Sequence, residues 1–206
     1  MEAGERLAGR VVALGLADPV VLALPRGGVP VALPVARALG APLGLVLVRK
    51  IGLPDHEELA MGAVVDGVPP VTVWNDDVVA SARLTPERLQ AMVAGKLAEI
   101  ETRRTRYTGG RAPVAVEGRD VVVVDDGIAT GATMRAALAA VRRQGAASLT
   151  IAVPVAPGDT LDDLTARVDH AVCLDVPSPF FAVGAHYLDF RQTGDDEVTA
   201  AFAALG

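Results

Sequence analysis

Residues 121–134, Val-Val-Val-Val-Asp-Asp-Gly-Ile-Ala-Thr-Gly-Ala-Thr-Met, leave few options for the fold around them. Four consecutive β-branched residues suit a strand buried on both faces, the environment of a parallel sheet covered by helices. Asp125 and Asp126 then stand at the carboxyl end of that strand, where open α/β sheets bind their ligands. The helix beginning near Thr133 directs its unpaired N–H groups to the same place, and its dipole favours an anion there by roughly 0.3–2 kcal/mol. Gly127 and Gly131 let the backbone turn and approach a phosphate, and the Thr130 and Thr133 hydroxyls add hydrogen bonds. Two carboxylates repel a phosphate, so they suit the hydroxyls of an attached sugar or a Mg²⁺ ion, which takes oxygen ligands. Together these residues describe a site for a sugar carrying a phosphate.

Other phosphate sites fit less well. The strand and acidic pair are also like the Mg²⁺-binding strand of a nucleoside triphosphatase, but the chain has no G-x-x-x-x-G-K-[ST]. The spacing of Gly127 and Gly131 does not match the G-x-G-x-x-G of a dinucleotide site. A plain strand-to-helix turn with a solvated acidic pair would account for a bare Asp-Asp-Gly; the nine-residue string Asp125–Thr133 asks for more.

A second strand and loop precede it. Val-Val-Leu-Ala-Leu-Pro-Arg-Gly-Gly-Val-Pro-Val-Ala, residues 20–32, places Arg26 at a strand end, and Gly27 and Gly28 free a run of backbone N–H groups. A diphosphate fits both features, although a βα turn with purely geometric glycines is the plainer account. A third strand, 43–48, runs into Arg49-Lys50-Ile51-Gly52. The chain has two lysines against seventeen arginines, so Lys50 at a strand end is a specific choice and not a generic solubilising charge.

The string Asp-Asp-Gly-Ile-Ala-Thr-Gly-Ala-Thr resembles the signature of the type I phosphoribosyltransferases, enzymes and regulators that bind 5-phosphoribosyl-1-pyrophosphate (PRPP). The resemblance implies that Asp125 and Asp126 hold the ribose hydroxyls and that Gly127, Ile128, Ala129, Thr130, Gly131, Ala132 and Thr133 wrap the 5′-phosphate. Arg26, Gly27 and Gly28 correspond to the family's pyrophosphate loop, which often contains a cis peptide. Lys50 corresponds to a basic residue that contacts pyrophosphate and opens a mobile loop over the site. Phe181-Ala182-Val183-Gly184, followed by Tyr187-Leu188-Asp189-Phe190, is similar to the base-binding hood of the purine enzymes, with one extra residue between Gly184 and Asp189. That implies stacking of a base by Phe180 or Phe181, backbone reading of its edge around Val183, and a metal-side carboxylate at Asp189. Mg²⁺ enters with PRPP as the implied cofactor.

One departure bears on the substrate. The hypoxanthine and guanine enzymes carry an aspartate in the phosphate loop that exchanges a proton with the base; here that position is Ala129. The loop is instead like that of the adenine and orotate enzymes, so the acceptor base is left open. His56, Glu57 and Glu58, in the expected mobile loop at 50–60, are candidates for acid or base chemistry, although solvated loop charges explain each of them as well.

Composition sets the outer limits. A chain of 206 residues, 51% hydrophobic, can bury a sizeable core, and a single domain is expected. Its core spans 17–61 and 113–175, with an insertion at 62–112 and a hood at 176–206 joined by the N-terminal helix. No apolar stretch reaches the ~20 residues of a membrane span, and Met1–Ala17 begins with acidic residues and lacks the basic start of a secretion signal. A cytoplasmic location follows. Cys173 sits alone in an apolar run and reads as a packed thiol. A net charge of −6 with 3% aromatics disfavours nucleic-acid binding. Arg103, Arg104, Arg106 and Arg111 are a local exception, best read as the basic end of a helix over 86–107 complementing its dipole.

The alternation of elements predicts an α/β fold, type I phosphoribosyltransferase-like: a central, mostly parallel sheet of about five strands flanked by helices, with a C-terminal hood and an inserted hairpin and helix. The expected activity moves the 5-phosphoribosyl group from PRPP to a nucleobase-like acceptor and releases pyrophosphate. The alternative is a PRPP- or nucleotide-binding regulator of the same fold without catalysis. The expected partners are small molecules, with neither nucleic acid nor membrane, and a homodimer is compatible with this reading.

Overall fold

The computed structural model describes residues 2–54, 56–67 and 69–204; of Glu57 and Glu58 only the backbone is described, so the acid or base role considered for their side chains lies outside the described residues. Five parallel strands form the main sheet: β1 (Pro19–Ala23), β2 (Leu43–Leu45), β6 (Asp120–Val124), β7 (Ser148–Val155) and β8 (His170–Asp175), in the order β2-β1-β6-β7-β8. The central pair β1/β6 is in register from Pro19↔Asp120 to Ala23↔Val124. Both strands are apolar throughout because both faces are covered. Val21, Ala23, Val122 and Val124 belong to the core on one face, and Val20, Leu22, Val121 and Val123 to the core on the other.

Helices α1 (Glu2–Val12) and α2 (Gly28–Leu39) cover the first face; α5 (Ala132–Arg143) and α6 (Gly158–Thr165) cover the second. The consequence for function is local. Chain leaving β1 turns toward one face and chain leaving β6 toward the other, so a crevice opens between their carboxyl ends.

A second sheet stands beside the first. Strands β3 (Val48–Leu53), β4 (His56–Val65) and β5 (Val71–Trp74) are antiparallel in the order β3-β4-β5. Its faces pack against α4 (Pro86–Thr108) and α5, with the short α3 (Asp76–Ala82) along β4. The sequence predicted a single strand over 43–48 and a loop over 50–60. The structure has instead a short β2, a crossing at Val46–Leu47, and a hairpin whose two strands take up most of that loop. Two charges and a glycine interrupt the apolar alternation of 48–53, and register shifts at Ile51, Gly52 and Leu53 bend the strand, so its pattern is not that of a regular strand.

Helix α4 starts as the sequence predicts. Thr85 accepts a hydrogen bond from the Arg88 amide at 3.3 Å, and Pro86 occupies the first turn. Two elements were not anticipated: α3 and the C-terminal helix α7 (Asp195–Ala203). The latter follows a glycine whose amide donates to Glu197 Oε2 at 2.7 Å, and it buries Val198 and Phe202 in the core that holds α1 and α2. No helix among the described residues is long and apolar enough to cross a membrane.

The seam between α1 and α2 tests this packing. A Cβ on Gly4 would lie 2.7 Å from the Val31 carbonyl oxygen and 2.9 Å from Pro34 Cγ, whereas Gly9 in the same helix faces open space. Gly9→Ala should therefore stabilise by about 0.5–1 kcal/mol through helix propensity. Gly4→Ala gains the same propensity but must push the helices apart, at a cost of about 1–3 kcal/mol. Urea denaturation of both variants should move the midpoint in opposite directions; equal shifts would mean that the seam is not close-packed.

Candidate active site

The crevice between β1 and β6 is lined by two loops about a hundred residues apart in sequence. After β1 the chain passes through Leu24 and the cis peptide Pro25–Arg26 to Gly27 and the start of α2. After β6 it passes through Asp125, Asp126 and the loop to Gly131, whose φ of 73° lets the chain turn into α5. The two loops touch. A Cβ on Gly27 would overlap the Asp126 carboxylate, and one on Gly28 would lie 2.7 Å from the Val124 carbonyl oxygen and 3.0 Å from Asp125 Cα. Both glycines thus allow the Arg26 loop to lie against the acidic pair. Residues 127–134 and Asp125 enclose a cavity of about 130 Å³ at the N-terminus of α5.

The acidic pair is electrostatically costly. Burial and the neighbouring Asp126 push the Asp125 carboxyl well above its usual range, and burial raises Asp126 as well. Asp125 Oδ1 accepts the Asp126 amide at 2.9 Å, which offsets part of that cost. Over the pair lies the C-terminal segment. Tyr187 donates its hydroxyl to the Asp126 carbonyl at 2.6 Å, and burial with both aspartates raises its phenol pKa. Val183 packs over Gly127, where a Cβ would lie 2.5 Å from Val183 Cγ1 and 2.9 Å from Val155 Cγ1. The Ile128 amide donates to the Val155 carbonyl at 2.9 Å, fixing the loop to the end of β7.

The other sequence-predicted residues are more dispersed. Arg26 lies at the crevice edge, with Nη1 3.5 Å from Asp195 Oδ1 of α7. Lys50 is exposed in the middle of β3 and not at a strand end; the strand's period of two puts Arg49 and Ile51 on the face toward α4 and Lys50 on the opposite one. Phe180 stacks on His186 at 5.7 Å between centroids, while Phe181 is 82% exposed. Asp189 lines, with Tyr187, His186, Asp175 and residues of α1, a cavity of about 430 Å³ behind the C-terminal segment. Its carboxylate is held by Arg191, with Nε 2.9 Å away. His56 begins β4 and is exposed. Cys173 is half-buried, and burial raises its thiol, as expected of a packed and unreactive group.

Tyr107 and Asp195 escaped the sequence reading, which named Tyr187 only as part of the hood motif, because each acts across a long chain separation that no local pattern records. Tyr107 is fully buried at the end of α4 and donates to Asp195 Oδ1 at 2.7 Å; its phenol pKa is raised by burial and by this aspartate.

Among the described residues no three His, Cys, Asp or Glu side chains cluster as a metal site. Mg²⁺ nevertheless fits Asp125 and Asp126, because it is habitually held by one or two carboxylates, with substrate oxygens and water completing its shell.

The raised pKa values give a signed prediction. In the native state the pair binds protons more tightly than in the unfolded chain, so its stabilising contribution is fully present below the ordinary carboxylate pKa of about 4 and is lost as pH rises through the raised native value. The pair therefore contributes less to stability at pH 8 than at pH 5. Asp125→Asn keeps the shape and the acceptor for the Asp126 amide, and should raise Tm more at pH 8 than at pH 5, by a few degrees, given ~2–4 °C per kcal/mol. Thermal unfolding of both proteins at the two pH values checks this; a variant less stable than the native chain at pH 8 would contradict it.

Comparison with known proteins fits this geometry. The family profile described as "Phosphoribosyl transferase domain" matches residues 2–189. A protein of Mycobacterium tuberculosis (strain H37Rv) described as "Putative phosphoribosyl transferase" is 46% identical over 199 residues, 97% of this chain. The chain spans 44% of that protein's length. The crystal structure of TT1426 from Thermus thermophilus is similar with a TM-score of 0.83 and 44% identity, over 98% of this chain and 95% of that one. With its five-stranded parallel sheet and the acidic pair at the end of β6, the chain belongs to the phosphoribosyl transferase domain family.

Proposed function

We propose that the protein transfers the 5-phosphoribosyl group of PRPP to a nucleobase-like acceptor and releases pyrophosphate. The contact of Gly27 with Asp126 carries the reading, because it makes one crevice from a cationic loop, a carboxylate pair and a phosphate-sized cradle. The backbone N–H groups of residues 127–133 at the α5 N-terminus hold the 5′-phosphate. Asp125 and Asp126 accept hydrogen bonds from the ribose hydroxyls, and so orient the C1 carbon toward the C-terminal segment. Arg26 with the backbone of Gly27 and Gly28 meets the diphosphate.

A ring nitrogen of the acceptor forms the new bond to C1 as the C1–oxygen bond to pyrophosphate breaks, and the electron pair leaves with the diphosphate. Fixed cations that meet this growing charge do most of the catalysis. Bound Mg²⁺ supplies further charge neutralisation on the diphosphate. Phe181, exposed on the C-terminal segment, offers a ring face for stacking; Phe180 is already occupied by His186.

The second reading is a PRPP- or nucleotide-binding regulator of the same fold without catalysis. Formation of nucleotide over a panel of bases, or isotope exchange between pyrophosphate and PRPP, separates a catalyst from a sensor.

Two outcomes are expected. PRPP with Mg²⁺ should raise the melting temperature, by the equivalent of about 2.7 kcal/mol at a hundredfold excess over Kd. Asp125→Asn with Asp126→Asn should remove most of that shift, and an undiminished shift would exclude the ribose role. In steady-state assays, hypoxanthine and guanine should be poor acceptors, slower by roughly 10²–10⁴-fold than an enzyme with a carboxylate at the Ala129 position. Adenine, uracil and orotate should be tested beside them on the native chain and on Glu57→Gln and Glu58→Gln. Rapid turnover of hypoxanthine or guanine that neither substitution affects would refute the argument from Ala129.

A further inference from the structure

The sequence explains the arginines at the end of α4 as a solvated helix terminus; Arg104 and Arg111 turn to Asp66 and the Phe202 carbonyl, but Arg106 pairs with Asp195, which also reaches Arg26. Asp195, the first residue of α7, is the hub. Its carboxylate accepts the Tyr107 hydroxyl at 2.7 Å and lies 2.5 Å from Arg106 Nη1 and 3.5 Å from Arg26 Nη1. Arg103 is near enough to act electrostatically on Asp195, on Tyr107 and on Arg49.

Arg49 joins from β3. Its Nη1 donates to the Val48 carbonyl at 2.8 Å and its Nε lies 3.6 Å from Glu99, a carboxylate that Lys96 also engages at 2.7 Å. Its Nη2 is buried and has no hydrogen-bond partner among the described residues. Burial and Arg103 push this guanidinium below its usual pKa.

Arg26 and Arg106 thus pair with Asp195, and Arg49 pairs with Glu99 of the same helix as Arg106, with Arg103 close enough to act electrostatically on Arg49 and Asp195, in a chain of net charge −6. Like charges held together with a buried, unbonded donor are unfavourable unless an anion joins them. Planar guanidinium forks suit phosphate oxygens, two at a time.

We propose that Arg103 and Arg106 of the inserted helix, with Arg49, extend the pyrophosphate loop into a site for a second phosphate of the diphosphate, and that Asp195 is a resident counter-anion which this phosphate displaces from Arg26. The inference rests on the placement of the donor proposed above. It makes α4 and α7 part of leaving-group recognition: the diphosphate binds in competition with a carboxylate of the protein itself. Product pyrophosphate would bind the same cluster.

The test is calorimetric titration of the full chain with Mg²⁺-pyrophosphate and, separately, with ribose 5-phosphate, which lacks the second phosphate. Arg103→Gln with Arg106→Gln should weaken pyrophosphate at least tenfold and ribose 5-phosphate less than twofold. Arg10→Gln with Arg88→Gln, exposed charges elsewhere, corrects for the change in net charge. Asp195→Asn should bind pyrophosphate several-fold more tightly than the native chain. If the native chain binds both ligands but the α4 double variant binds pyrophosphate as well as the charge control does, the inference falls and the donor site stands. It falls too if Asp195→Asn weakens pyrophosphate as much as the α4 variant, as a purely architectural aspartate would. A native chain that binds neither ligand overturns both proposals.

Discussion

The site depends on one close approach, that of the Gly27 backbone to the Asp126 carboxylate. Neither loop forms a crevice alone. The β1–α2 turn supplies a cation and backbone donors, and the β6–α5 turn supplies carboxylates and a cradle at a helix N-terminus. Adjacent parallel strands whose following helices lie on opposite faces bring the two turns side by side. Absence of a side chain at position 27 then sets their separation. A methyl group there would overlap the Asp126 carboxylate and force the two loops apart.

The same approach explains why the ligand-free site is under electrostatic tension. Burying two adjacent carboxylates raises both pKa values, and nearby backbone donors offset only part of the cost. A structure optimised for stability alone would place an amide or an apolar group there. Two buried acids, of which Asp126 further raises Asp125, are expected of a site whose partner arrives from solution, because hydroxyl donors and a divalent cation stabilise the charged form.

How much of this the sequence carries depends on the range of the interaction concerned. The four valines of β6, the Asp125–Thr133 string, the Thr85-Pro86 start of α4 and the strand over 19–23 are recorded in contiguous residues, and each was legible. The parallel sheet followed from the spacing of such segments. The hairpin over 48–65 was not legible, because its charges sit in a bent strand whose faces are both used, one by α4 and the other by α5. Lys50 illustrates the difficulty: its rarity singles it out, but only knowledge of the strand's bounds shows that Arg49 is the residue facing α4. Tyr187 over Asp126, and Asp195 between Arg26 and Tyr107, join residues 61 and 88 positions apart in the two hydrogen bonds involved. No local pattern encodes them. Helix α7 escaped notice because its apolar face is short, with Val198 and Phe202 as its buried residues.

Charge is divided along the crevice in a way that suits a substrate with unlike ends. Buried carboxylates lie on the β6 side and guanidiniums gather on the side of Arg26, β3 and α4, with Gly27 and Gly28 between them. Cations in the acidic half would neutralise Asp125 and Asp126 and free them from any need for hydroxyl donors; carboxylates in the basic half would repel a diphosphate. Glu99 and Asp195 are exceptions, and the position of Asp195 at the first turn of α7 gives it a structural reason to be there, since an acidic residue complements the helix dipole and its bonds to Tyr107 and Arg106 tie α7 to α4. The same carboxylate reaches Arg26 at only 3.5 Å, a longer and weaker pairing than its other two. The contact that a phosphate would have to break is thus the weakest of the three, and α7 can stay anchored by Tyr107 and Arg106 while Arg26 changes partner.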